Sequence, residues 1–420
     1  MENVDRGNRR LMKPYERFLE YVKINTQSDE TTGHHPSFDG EFDLAKKLLA
    51  ELKNMGVDAA LDDKCYLMAH IPPTEGYEDR ITLGFIAHMD TAPAYSGCNV
   101  NPVIHRNYDG GDIIYPDGKI MKTADFPHLK RLIGETLITS DGTTLLGADD
   151  KSGVSEIMTA IERLINGNIP HGPLAFCFTP DEEIGEGADN FDVGKFGADF
   201  AYTVDGGDVC EIEYENFYAA DVKVRITGLS THPGTAKNVM INAINVAYDF
   251  HSLIPENDRP EHTEGYEGFY HLTDISGDCS SADLRYIVRD HDRGKFEDRK
   301  EYLRTCAKKI NEKYGKETVH ITISDSYYNM LEKITPHMHL IESAKKAVTS
   351  AGMTPVTVPV RGGTDGARLS YMGLPCPNLG TGGFNFHGPF EHITVERMDC
   401  ATQVILGIIE EYSHFDKDQV

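Results

Sequence analysis

The chain has 420 residues, long for one domain and comfortable for two, and its 40% hydrophobic and 26% charged residues are those of a globular protein with a sizeable core. Lys plus Arg number 41 against 67 Asp plus Glu, a formal charge of −26. A surface that acidic repels phosphate backbones and anionic lipid, which argues against nucleic-acid and membrane partners.

The first residues, MENVDRGNRRLMKPYERFLEYV, contain no apolar run of signal-peptide length, and residues 1–11 read as a polar extension. No stretch approaches about 18 uninterrupted apolar residues, so no membrane-spanning helix is expected. The eight cysteines, at 65, 98, 177, 210, 279, 306, 376 and 400, form no C-x-x-C pair. Their wide spacing argues against a zinc ribbon or disulfide framework and fits reduced thiols in a cytoplasmic protein.

In chain order, the apolar spacing predicts amphipathic helices over 14–26 and 40–55, the second with Ser37 or Asp39 as its cap. Strands are predicted over 66–71 and 81–88, and residues 91–140 read as irregular. A helix over 153–165 and strands over 174–179 and 200–204 continue an alternation that points to an α/β sheet with helices on both faces. From residue 217 the order changes to strand 218–226, helix 238–253, strands 268–275 and 283–288, helix 296–314 and strand 318–324. This β-α-β-β-α-β order is ferredoxin-like. The α/β pattern then resumes with helix 337–351, strand 355–360, helix 364–372 and a terminal helix 395–413. The expected organisation is therefore one domain of residues 1–216 plus 329–420, interrupted by an inserted domain of 217–328.

Five acidic or histidine clusters fall at predicted strand ends or glycine-rich turns, positions that gather around one crevice in an open α/β sheet. They are His88-Met89-Asp90, Gly147-Ala148-Asp149-Asp150-Lys151, Asp181-Glu182-Glu183, Val204-Asp205-Gly206-Gly207, and Phe386-His387-Gly388-Pro389-Phe390-Glu391. Residues i and i+2 of a strand share a face, so Asp90 can accept from one ring nitrogen of His88 and leave the other for a metal. Paired Asp before a helix can cap it, or one carboxylate can bridge two cations. Three adjacent carboxylates are costly at a buried strand end unless a divalent cation offsets their repulsion. One Glu of that triplet can ligate while its neighbour accepts a proton, and spacing does not say which. Two His with acidic ligands make the N/O donor set that zinc favours and that cobalt or manganese tolerate. Three further features suit substrate binding: Thr231-His232-Pro233-Gly234, Arg289, and Arg361 in a Gly-Gly-Thr-Asp-Gly turn. Each Arg can hold a carboxylate with two parallel bonds.

Taken in this order, the motifs HMDTAP (88–93), LLGADDK (145–151), TPDEE (179–183), THPGTAK (231–237), RGGTDGA (361–367) and the C-terminal His resemble the M20 family of co-catalytic zinc peptidases, and within it the tripeptide aminopeptidases. The resemblance runs from about residue 12 to the C-terminus. It implies a mixed-sheet catalytic domain with an inserted ferredoxin-like lid or dimerisation domain. It also implies a zinc held by His88, Asp149 and Asp205, and a second held by Asp149, Glu183 and His387. Glu182 would be the general base and Asp90 the orienter of His88. His232 would polarise the scissile carbonyl, and Arg289 and Arg361 would grip the far end of a short peptide. A homodimer is among the assemblies the family implies. Asp208, close in sequence to Asp205, is expected to bear on substrate preference. Other members act as dipeptidases, carboxypeptidases or amidohydrolases of acylated amino acids, and the need for a free N-terminus separates those readings.

Overall fold

The computed structural model describes residues 10–315 and 317–417. Most of the polar extension read at residues 1–11 lies outside them. The chain divides into two compact units: one holds the chain up to Tyr214, Glu332–Val358 and everything from Thr364, and the other holds Glu215–Leu331 and Pro359–Gly363.

The first segment opens with helices α1 (Pro14–Tyr21) and α2 (Gly40–Asn54) and strands β1 (Asp58–Leu61), β2 (Leu67–Ile71) and β3 (Leu83–His88). Helix α1 stops before the predicted residue 26 because Thr26 and Ser28 exchange backbone hydrogen bonds with Thr91. Asp39 stands at the start of α2 without a side-chain cap bond, and Ser37 instead accepts from the Asp29 amide. The region expected to be irregular carries four short strands, β4 (Val103–His105), β5 (Ile113–Ile114), β6 (Ile120–Met121) and β7 (Leu137–Thr139). Segments of two or three residues are too short to declare a period of two. Then come α3 (Ala148–Asn166), β8 (Leu174–Thr179), α4 (Val193–Phe196), β9 (Phe200–Gly206) and β10 (Glu211–Glu213).

The second segment holds β11 (Tyr218–Thr227), α5 (Ala243–His251), β12 (Phe269–Gly277), β13 (Ser281–Asp290), α6 (Arg293–Tyr314) and β14 (Val319–Tyr327). Its strands form one antiparallel sheet in the order β12-β13-β11-β14, the ferredoxin-like arrangement. Strand β11 alternates buried and exposed residues over most of its length, as expected of a sheet with one covered face. Helix α5 starts five residues later than predicted, because Asn242 caps it through the amides of Ile244 and Asn245 while Ile241 pairs with Leu229. The unit's core joins Val222, Val224, Phe250, Leu284, Tyr286 and Leu303.

The third segment runs through α7 (Leu331–Ile334), α8 (His339–Ser350), β15 (Val356–Thr357), α9 (Asp365–Tyr371), β16 (Asn378–Gly380), β17 (Gly383–Phe384), β18 (His392–Thr394) and α10 (Val395–Tyr412). The main sheet has eight strands in the order β1-β2-β8-β3-β9-β16-β10-β15. Its central β8, β3, β9 and β16 are parallel, and all six residues of both β3 and β8 are buried. Such unbroken apolar runs are the mark of parallel strands covered on both faces. A second sheet, β17-β18-β7-β4, gathers the short strands around the C-terminal hairpin. No helix among the described residues is long and apolar enough to cross a membrane, and all eight cysteines are free.

Candidate metal centre

The parallel strands place the predicted donors together. His88 ends β3, Glu182 and Glu183 follow β8, and Asp205 lies near the end of β9. Asp149 stands in the first turn of α3, and His387 in the turn between β17 and β18. Carboxyl ends of parallel strands are where open α/β sheets place ligands.

Two donor sets result, His88–Asp149–Asp205 and Asp149–Glu183–His387, each with its donor atoms within 4.8 Å of one another. Nε2 of His88 is 2.9 Å from Oδ1 of Asp149 and 3.3 Å from Oδ1 of Asp205. Nε2 of His387 is 3.0 Å from Oδ2 of Asp149 and 3.0 Å from Oε2 of Glu183. The two oxygens of Asp149 thus face different sets.

The electrostatics of the sites suit cations. Burial, and then the neighbouring Asp149, push the Glu183 carboxyl up to about 7. Burial likewise raises Asp205 to about 7, against the opposing pull of His88, and it pushes Glu182 well up, with Asp205 adding to the effect. Burial disfavours charge on His88, but Asp205, Asp149 and Asp90 outweigh it and hold the ring's pKa well above its ordinary value. Hydrogen bonds to Asp149 and Glu183 raise His387 to about 11. Carboxylates this crowded are stabilised by a divalent ion. Oε1 of Glu183 is buried with no hydrogen-bond partner, an acceptor left for an ion to satisfy. The residues therefore fit divalent metal, and the His/carboxylate donor set suits zinc, with cobalt or manganese next.

The loops are tied from beneath. Asp90 is wholly buried; its Oδ1 accepts from the Glu182 amide (3.0 Å) and its Oδ2 from the Glu183 amide (3.1 Å). Nδ1 of His88 lies 3.1 Å from the Asp90 carbonyl oxygen and 3.2 Å from its Oδ1. Asp90 thus grips both its histidine and the Glu182–Glu183 turn. Asp181, the first member of the triplet, turns away: both its oxygens accept from the Ser37 amide, at 3.0 and 2.8 Å, and His35 is 3.1 Å off. It anchors the loop from a left-handed backbone position, φ 56°, a strain that surrounding contacts must hold. His35, Asp181 and Glu186 also bring donor atoms together, but Asp181 is occupied in this anchoring.

Four positioning groups escaped the motif reading. Asp150 accepts from the amides of His88 and Gly153, Glu41 from the amide of Asp181, Asn378 from the amide of Asp205, and Glu391 from the turn that opens α3. Asp150 and Glu391 lie inside clusters read from the sequence, where their partners were not legible, and Asn378 opens β16. Glu41, on the buried face of α2, carried no signal. Asp208 is buried and pairs with Arg397 and Arg131, so its carboxylate serves a salt-bridge network.

The other expected substrate residues belong to the second unit. His232 is exposed and precedes the short turn Pro233–Thr235, its Nδ1 accepting from the Gly234 amide at 3.2 Å. Arg361 donates to the carbonyls of Gly265 (2.6 Å), Glu267 (3.1 Å) and Thr263 (3.4 Å) and lies over the Phe217 ring. Arg289 donates to the Arg361 carbonyl at 3.1 Å, while its Nε is buried without a hydrogen-bond partner.

A fold with parallel strand ends converging on two His/carboxylate sets that share one Asp is that of a metallopeptidase class, and comparison with known proteins identifies it. The family model for peptidase family M20/M25/M40 matches residues 141–411, and the chain belongs to that family. Curated relatives are named Peptidase T: one from Alkaliphilus oremlandii is 53% identical over 403 residues, 95% of this chain and 98% of its own. One from Clostridium novyi is 56% identical over 402 residues, 94% of this chain and 98% of its own. In fold, the chain matches aminopeptidase PepT from Bacillus cereus at TM-score 0.76 and 24% identity, over 95% of this chain and 98% of that one. A tripeptidase from Staphylococcus aureus matches at TM-score 0.77 and 22% identity, over 96% and 98%. A dinuclear metal-binding M20 peptidase from Bacillus subtilis matches at TM-score 0.63 and 16% identity, over 95% and 97%.

Proposed function

We propose that the chain is a two-zinc aminopeptidase that removes the N-terminal residue from tripeptides in the cytoplasm. One observation carries the reading: the oxygens of Asp149 divide between two donor sets, 2.9 Å from His88 and 3.0 Å from His387. His88, Asp149 and Asp205 would hold one ion, and Asp149, Glu183 and His387 the other. Two bound divalent ions supply the charge that makes a water acidic near neutral pH and that favours an oxyanion.

Glu182 is the general base: its carboxylate takes a proton from the attacking water and returns it to the leaving amine nitrogen. Asp90 fixes that base by holding the amides of both Glu182 and Glu183. His232 donates to the scissile carbonyl oxygen. Arg289, whose Nε is unpaired, is assigned to the peptide's carboxylate. Arg361, occupied by three backbone carbonyls, acts by holding the 263–267 loop. The names of the relatives, Peptidase T and tripeptidase, support the substrate length.

The test is hydrolysis of Leu-Gly-Gly by zinc-loaded protein beside the dipeptide, the tetrapeptide and the N-acetylated tripeptide. Release of free Leu from the unblocked tripeptide alone is expected. Cleavage of the acetylated or two-residue substrate instead would leave the metal chemistry standing and overturn the substrate assignment.

A further inference from the structure

Glu391 stands four residues beyond His387, in the same turn between β17 and β18 and its exit, and is 1% exposed. Its Oε2 accepts from the amides of Leu146 (2.7 Å) and Gly147 (2.8 Å), and its Oε1 from the amide of Asp149 (3.0 Å). These amides belong to the turn into α3, where a helix start leaves N–H groups without partners and favours negative charge. Gly147 takes φ 82° at that turn, so the backbone is bent to present the three donors. Bonds from an amide to a carboxylate are the stronger, charge-assisted kind, so the turn has one well-defined seat.

We infer that Glu391 is a positioning residue that ties the two donor sets into one unit. It fixes the backbone of Asp149, the residue common to both sets, from the very loop whose His387 completes one of them. The inference rests on the reading of Asp149 as the shared ligand. Its consequence is asymmetric: loss of His387 weakens one ion site, and loss of Glu391, which never touches an ion, weakens both. A carboxylate that merely capped α3 would lower the stability of the fold and leave ion affinity in the folded protein unchanged.

The experiment titrates metal-free protein with zinc against a chromophoric chelator, well below the melting temperature of each variant, and resolves two binding steps. Glu391→Gln should weaken both steps by about 10–100-fold, the usual effect of removing a group that orients metal ligands. His387→Ala should weaken one. Glu391→Asp, which keeps the charge and shortens the reach, serves where the Gln variant does not fold, and should also shift both steps. Both steps unchanged in the Glu391 variant, or only one weakened, would overturn the inference even if the melting temperature fell. Asp149→Ala is the control for the underlying reading: it should abolish both steps. If it does and the Glu391 variant binds normally, only the inference fails; if it spares one step, the shared-ligand reading fails with it.

Discussion

Glu182 and Glu183 are adjacent, similarly buried and both hung from Asp90, yet only Glu183 reaches the two donors of its set. The assignment of Glu182 to proton transfer predicts that Glu182→Ala lowers kcat by at least 10²–10⁴-fold while zinc content by elemental analysis stays at the wild-type value. A near-normal rate would refute the role. A second residue-scale prediction concerns His128 and His392, whose rings stack at 5.2 Å with their Nε2 atoms 3.1 Å apart. Nδ1 of His392 donates to the Phe390 carbonyl, which leaves its Nε2 as the acceptor for His128. Protonating His392 would set two N–H groups against each other. Burial lowers His392 to about 3, with His128 adding to it through charge; burial also lowers His128, where Arg131 and Arg397 oppose protonation and Asp208 favours it. Below about pH 6.5 the unfolded chain binds protons that the folded chain refuses. Stability therefore falls as pH drops from about 6.5 toward 3, by up to about 1.4 kcal/mol per pH unit for each refused proton. His128→Gln should make the acid limb of melting temperature against pH shallower; an unaltered limb would remove the pair from the account.

At the scale of elements, α3 and β9 approach so closely that one glycine decides their contact. A Cβ built on Gly153 would lie 1.9 Å from the Val204 carbonyl oxygen and 2.5 Å from Oδ1 of Asp150. The obstacle is strand backbone one residue before Asp205, so the helix carrying Asp149 would have to move away from the strand carrying its partner in the first set. Gly153→Ala is expected to cost at least about 1–3 kcal/mol, the range for overpacking, with a lower melting temperature and weaker zinc binding together. Wild-type stability in that variant would mean the pair can slide apart freely. The same scale explains why the linear reading lost the 91–140 region. Strands β4 and β7 belong to a sheet completed by β17 and β18, more than 240 residues later, and three-residue strands take their identity from those partners.

For the whole molecule, every proposed ligand lies in the first unit, so removing metal should be felt there. Chelation is expected to abolish peptide hydrolysis, with recovery on adding zinc or cobalt. An ion held at about 100 times its Kd contributes about 2.7 kcal/mol to the folded state. Hydrogen exchange read by mass spectrometry should rise in residues 144–153, 179–187 and 383–391 after chelation, and should not change in β11 and β13 of the second unit. Equal loosening of both units would contradict a site confined to one.

What the linear chain determined is local. Continuous apolar runs marked β3 and β8, a change in the order of elements marked the inserted ferredoxin-like sheet, and His or carboxylate residues at strand ends marked the centre, because period, turn chemistry and donor type are properties of neighbouring residues. Only the tertiary structure decided which partner each charged group takes. Asp181 turned to Ser37, Asp208 to Arg397, Arg361 to a loop of carbonyls, and Glu391 to the amides before Asp149. A carboxylate's partner is set by what other parts of the chain bring within about 3 Å, and that distance is a product of packing between segments far apart in sequence.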